Sequence, residues 1–69
     1  MSEQRYIVSG MTCVHCVAHV TEEVEAIPGV TSVAVALSGE MTVTAQAPLA
    51  FEAVAAAVDE AGDYTVAEA

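Results

Sequence analysis

The chain is predicted to fold as an α+β domain built from two similar strand–helix–strand units, and three observations carry that prediction. In two separate stretches apolar residues recur at steps of three and four, which is the spacing of a helix face buried on one side. Short apolar or alternating runs flank each stretch, which is the spacing of strands. Glycine and proline fall at the joints between these segments, where the backbone must turn or stop.

The elements follow in order. Tyr6, Ile7 and Val8 form a short apolar strand that ends at Ser9-Gly10, and a loop over residues 10–16 comes next. Val17, Val20, Val24 and Ile27 then step by three, four and three, with Glu22, Glu23 and Glu25 turned outward, and Pro28-Gly29 stops the helix. Val33, Val35 and Leu37 alternate with Ala34, Ala36 and Ser38 as a half-buried strand, and Ser38-Gly39 makes a tight hairpin into Met41, Val43 and Ala45. In the second unit Pro48 suits the first turn of a helix, and Phe51, Val54, Val58 and Ala61 repeat the three, four, three stepping before Gly62. Tyr64 to Ala67 supplies the last strand. Two such units with right-handed crossovers give a ferredoxin-like split βαββαβ sandwich, a four-stranded antiparallel sheet with both helices on one face. No linker or low-complexity tract interrupts it, so residues 1–69 are expected to form a single domain.

Composition excludes several classes of function. A chain of 69 residues buries only about 60% of the surface that its unfolded state exposes, which leaves no room for a cleft between two lobes. Hydrophobic residues are 55% of the chain but aromatics only 4%, so the core is assembled from many small side chains. No apolar run reaches membrane-spanning length, and Ser2-Glu3-Gln4-Arg5 is polar and leads straight into a strand, so a cytoplasmic protein without membrane insertion is expected. Ten acidic residues stand against Arg5 alone, a net charge of −9, and such a surface repels both nucleic acid and anionic lipid. That acidity serves solubility, belongs to an organism whose proteins run acidic, or is directed at a partner.

The chemistry concentrates in Gly10-Met11-Thr12-Cys13-Val14-His15-Cys16, which holds both cysteines of the chain. A disulfide between them closes only a tiny ring and staples nothing, so the pair reads as a metal clip or a redox couple. Cys13 lies in the turn and Cys16 in the first helical turn, where free backbone N–H groups and the helix dipole favour a thiolate. Two sulfurs suit a soft ion content with near-linear coordination: copper(I) first, then mercury(II) and silver(I). Zinc(II) requires four ligands, and this loop offers three at most, counting His15.

The heptapeptide resembles the Gly-Met-Thr-Cys-x-x-Cys signature of heavy-metal-associated domains, the family of small copper chaperones and of the amino-terminal domains of copper-transporting P-type ATPases. Pro28-Gly29-Val30, Val33 and Val35, the Ser38-Gly39 hairpin and Ala61-Gly62 resemble further family landmarks at similar spacing, so the likeness spans nearly the whole chain. The resemblance implies copper(I) held by Cys13 and Cys16 and delivered by ligand exchange to a matching domain of a copper-transporting P-type ATPase. It implies a carrier and not an enzyme. A start at Met1 and an end at the last strand point to a free-standing chaperone similar to bacterial cytosolic ones, ahead of a detached ATPase domain or a mercury or silver carrier.

Individual side chains carry further expectations. His15 completes a three-coordinate site, bridges a copper-linked homodimer, or faces solvent beside the ligands. His19, one turn after Cys16, is expected to be solvated, as are Glu22, Glu23 and Glu25. The resemblance implies that Met11 packs beneath the loop and that Thr12 supports it. Family members often carry Lys or Tyr before the last strand, near the metal. Here the run is Gly62-Asp63-Tyr64, so that place falls to Asp63 or to Tyr64. Docking through lysines is unavailable to a chain that has none.

A glutaredoxin-like oxidoreductase is the competing class, since it also sets Cys-x-x-Cys at a helix start. Such a protein needs a cis-proline facing the disulfide, whereas Thr65-Val66 is followed here by Ala67, and it needs parallel strands that a hairpin order does not supply.

Overall fold

A computed structural model describes residues 2–12 and 14–69. The elements run β1 (Ser2–Ser9), α1 (Val14–Glu25), β2 (Val30–Val35), β3 (Glu40–Ala45), α2 (Phe51–Ala61) and β4 (Thr65–Glu68). The sheet order is β2-β3-β1-β4 and every pairing is antiparallel, which is the predicted split sandwich and not the parallel thioredoxin-like arrangement.

β1 is the axis of this sheet. It pairs with β3 from Ser2↔Ala45 to Ile7↔Glu40, and with β4 from Tyr6↔Glu68 to Ser9↔Thr65. Strand alternation sends Tyr6 and Val8 inward and leaves Arg5 and Ile7 on the opposite face. Met41 and Val43 of β3, Val20 and Val24 of α1, and Val54, Ala57 and Val58 of α2 join them in one core, which places both helices on the same side of the sheet. The core is mostly valine, as the small-residue composition requires. All ten carboxylates are exposed, and no polar or charged residue among the described ones is buried.

Three local departures from expectation have physical causes. Leu37, read as the last inward residue of its strand, is 51% exposed because β2 ends at Val35. The hairpin loop is Leu37-Ser38-Gly39, three residues long: the Gly39 N–H donates to the Ala36 carbonyl at 2.9 Å and the Ala36 N–H to the Glu40 carbonyl at 2.8 Å. Pro48 lies ahead of α2 instead of in its first turn. The Gln4 side chain accounts for this, accepting from the Leu49 N–H at 2.8 Å and donating to the Leu49 carbonyl at 3.4 Å, so the connector is tied to β1 before the helix begins. At the edge of the sheet Thr31 is an extra residue between the pairs Val30↔Ala45 and Ser32↔Thr44, and its hydroxyl donates to the Thr44 carbonyl at 3.0 Å.

Gly39 is the most closely approached of the four glycines. Its φ is +109°, a Cβ there would lie 2.5 Å from the Val8 carbonyl oxygen, and its own carbonyl accepts from the Val8 N–H at 2.7 Å. Gly29 has φ +92° with open space around it. Gly39→Ala is therefore expected to cost at least about 2 kcal/mol of stability, and Gly29→Ala about 1 kcal/mol from backbone strain alone, as measured by chemical denaturation.

The Tyr6 ring packs against Phe51 at 6.4 Å between centroids, and the residue is 2% exposed. Its hydroxyl is buried with no hydrogen-bond partner among the described residues. Burial, and then the Glu68 carboxylate, raise this phenol above its ordinary value of 10.0. The folded chain thus holds the Tyr6 proton more tightly than the unfolded chain does. That contribution to stability is complete below the ordinary phenol range and is lost as pH rises through and beyond it. Tyr6→Phe is expected to stabilise the fold by about 1 kcal/mol at neutral pH and to flatten the alkaline decline in melting temperature.

Candidate metal centre

The candidate site sits where β1 hands over to α1. Gly10 leaves the strand with φ +102°, a conformation open to glycine, and turns the chain back over the end of the sheet. Met11 follows half-buried and packs against the core, while Thr12 is exposed. Cys13 lies outside the described residues. Val14 opens α1 and is 68% exposed, His15 is exposed, and Cys16 is half-buried within the first helical turn. That turn contains no acidic residue, so no carboxylate competes with a thiolate for the positive end of the helix.

Tyr64, just before β4, lies on the core side of the sheet beside the start of this loop. A Cβ on Gly10 would meet Tyr64 Cδ1 at 3.4 Å and the Asp63 carbonyl oxygen at 3.3 Å, and a Cβ on Gly62 would meet Tyr64 Cε2 at 2.9 Å. The ring therefore lies across both glycines and also packs against the core. Of the two residues considered for this place, Tyr64 is the one whose side chain reaches the start of the loop. Asp63 reaches Gly10 through its backbone carbonyl, and its side chain is exposed.

Among the described residues the large hydrophobic ones left exposed are Ile7 of β1, Val14 at the start of α1 and Leu37 in the β2–β3 hairpin. The Val8–Gly39 hydrogen bond holds the Leu37 turn alongside the end of β1 from which the loop emerges. The alternation assigns Leu37 to the strand and not to an exposed surface beside the loop, although glycine at the fourth position of Ala36-Leu37-Ser38-Gly39 is a turn signal. His19 is exposed on α1, where it borders an open groove shared with Glu22, Glu23 and Glu60. Among the described residues no three His, Cys, Asp or Glu side chains converge in a way that could hold a metal, and no helix is long and apolar enough to cross a membrane.

Comparison with solved structures finds close likenesses. A CopZ metallochaperone superimposes with a TM-score of 0.85 at 31% identity, covering 96% of this chain and 100% of that one. A protein of Bacillus anthracis str. Ames described as a putative copper-ion-binding protein matches with a TM-score of 0.83 at 28% identity, covering 96% and 94%. A yeast copper transporter domain, solved in apo and Cu(I)-loaded states, matches with a TM-score of 0.80 at 25% identity, covering 96% and 94%. Comparison with curated protein sequences finds no match. The heavy-metal-associated domain model matches residues 5–63, nearly the whole chain, and together with the fold and the Gly10–Cys16 loop this makes the protein a member of the heavy-metal-associated domain family.

Proposed function

We propose that the protein is a copper(I) metallochaperone, which holds one ion between the thiolates of Cys13 and Cys16 and passes it by ligand exchange to a metal-binding domain of a copper-transporting P-type ATPase. The observation that carries this reading is the Cys-x-x-Cys pair of a heavy-metal-associated domain set at the junction of β1 and α1, with Cys16 in the first helical turn. Copper(I) is the cargo. A soft monovalent ion is satisfied by two sulfurs, and the half-buried setting of Cys16 limits access of water. The backbone N–H groups of the first turn of α1 favour the charged sulfur, and the Met11 and Tyr64 contacts brace the loop from below.

Transfer needs the two metal loops within bonding distance. A thiolate of the acceptor attacks the copper first, and a donor sulfur leaves from the crowded intermediate. Copper remains in the +1 state throughout, and the departing donor thiolate is free to take up a proton. The exposed Val14 and Leu37 give the approach an apolar rim, while Asp63 and Glu60 supply negative charge beside the α2–β4 turn. Two thiolates with one copper(I) add a further negative charge, so the fitting acceptor presents Lys or Arg around its own cysteine pair.

Titration under reducing conditions against a competing copper(I) chelator tests the site. One ion per chain is expected, with loss of tight binding in the Cys13→Ser/Cys16→Ser variant and retention of its fold, because the core stripes lie elsewhere. A double variant that still holds copper against the chelator refutes the assignment. His15→Ala is expected to leave affinity within about tenfold, the scale of an outer-shell effect, and a larger loss makes it a ligand.

Transfer to a lysine-bearing acceptor is expected to be fastest at low ionic strength and to slow as salt screens the attraction, followed by stopped-flow mixing. A rate that rises with salt, or ignores it, removes the electrostatic part of the account and leaves docking to the apolar rim.

A further inference from the structure

The chain contains only two histidines, and both lie on α1 four residues apart, at His15 and His19. We propose that they form a second cation site, a bis-imidazole chelate across one helical turn that takes a borderline divalent ion such as Ni(II), Zn(II) or Cu(II). Residues at this separation stand on one face of a helix with their Cβ atoms about 5–6 Å apart. The two histidines of helical zinc motifs share this spacing, which lets both rings reach one ion. Both residues are exposed, so neither ring has to be taken out of a packed environment before it can bind.

The surroundings favour a cation and determine its kind. His19 shares an open groove of about 340 Å³ with Glu22 and Glu23 of α1 and Glu60 of α2. These carboxylates give the face a negative potential without closing around an ion, because no three candidate ligands converge among the described residues. The chain thus supplies two nitrogens and water supplies the remainder, which makes an exchangeable site. Imidazole nitrogen selects borderline divalent metals, with Cu(II) strongest, whereas the thiolate pair selects soft ions. Two sites of different softness then occupy consecutive residues, His15 and Cys16. A divalent ion present in excess has a resting place outside the sulfurs.

The test removes the sulfurs, so it does not depend on the copper(I) reading. The Cys13→Ser/Cys16→Ser chain is titrated with Ni(II) alone by calorimetry, and its melting temperature is followed in parallel. One Ni(II) per chain is expected, with a rise in melting temperature from preferential binding to the folded helix. Adding His15→Ala or His19→Ala is expected to weaken binding by at least about tenfold and to remove that rise. The native chain with both thiols alkylated is expected to show the same dependence on His19, which covers the case in which the serine substitutions are not tolerated. Absence of Ni(II) binding in both preparations, or binding that His19→Ala leaves unchanged, overturns the proposal.

Discussion

The fold depends on β1 being hydrogen-bonded along both sides. Its ladder with β3 fixes which residues face the helices, and its ladder with β4 brings the end of the second unit back to the beginning of the first. Tyr64 reaches Gly10 because β4 begins next to Ser9, the last residue of β1. The Val8 N–H, at the same end of β1, is taken by Gly39 of the hairpin. Three connections that are distant in sequence thus meet at one end of the sheet, and the cysteine loop is the connection that β1 itself extends into. A one-residue slip of this strand would turn Tyr6 and Val8 to solvent and bring Arg5 and Ile7 into the core.

The core and the surface divide the physical tasks sharply. Valine and alanine fill most of the interior with short side chains that lose little rotamer freedom, around the one buried ring, that of Tyr6. The surface holds every side-chain carboxylate, and among the described residues Arg5 pairs with Glu3 alone, at 3.7 Å between two exposed side chains, which contributes little. The charge is therefore nearly uncompensated. Such a charge repels like-charged surfaces and attracts basic ones. The apolar residues that remain outside are not scattered at random: Val14 and Leu37 border the end where two metal loops would meet.

Much of this was legible in the residues. The two helical stripes, the alternation in β3 and the Gly-Pro punctuation suffice for the element order, because each is a local pattern with a period. The family resemblance of the Gly10–Cys16 loop agrees with the match over residues 5–63. What escaped was non-local. Nothing near Pro48 announces that the Gln4 amide, 45 positions from Leu49, will hold that backbone and delay the helix. Leu37 continued an alternating pattern that only the position of the turn could end. The place of Tyr64 depends on the β1–β4 ladder, and spacing alone could not choose between it and Asp63. The shared face of His15 and His19 follows from helical geometry once α1 is known to begin at Val14.

If sulfur, and not the abundant carboxylate, holds the cargo, the element bound to copper is the decisive observable. X-ray absorption at the copper edge of the Cu(I)-loaded protein reads that element without requiring a variant. An innermost shell dominated by two sulfur scatterers is expected. A shell made only of nitrogen and oxygen would overturn the thiolate assignment.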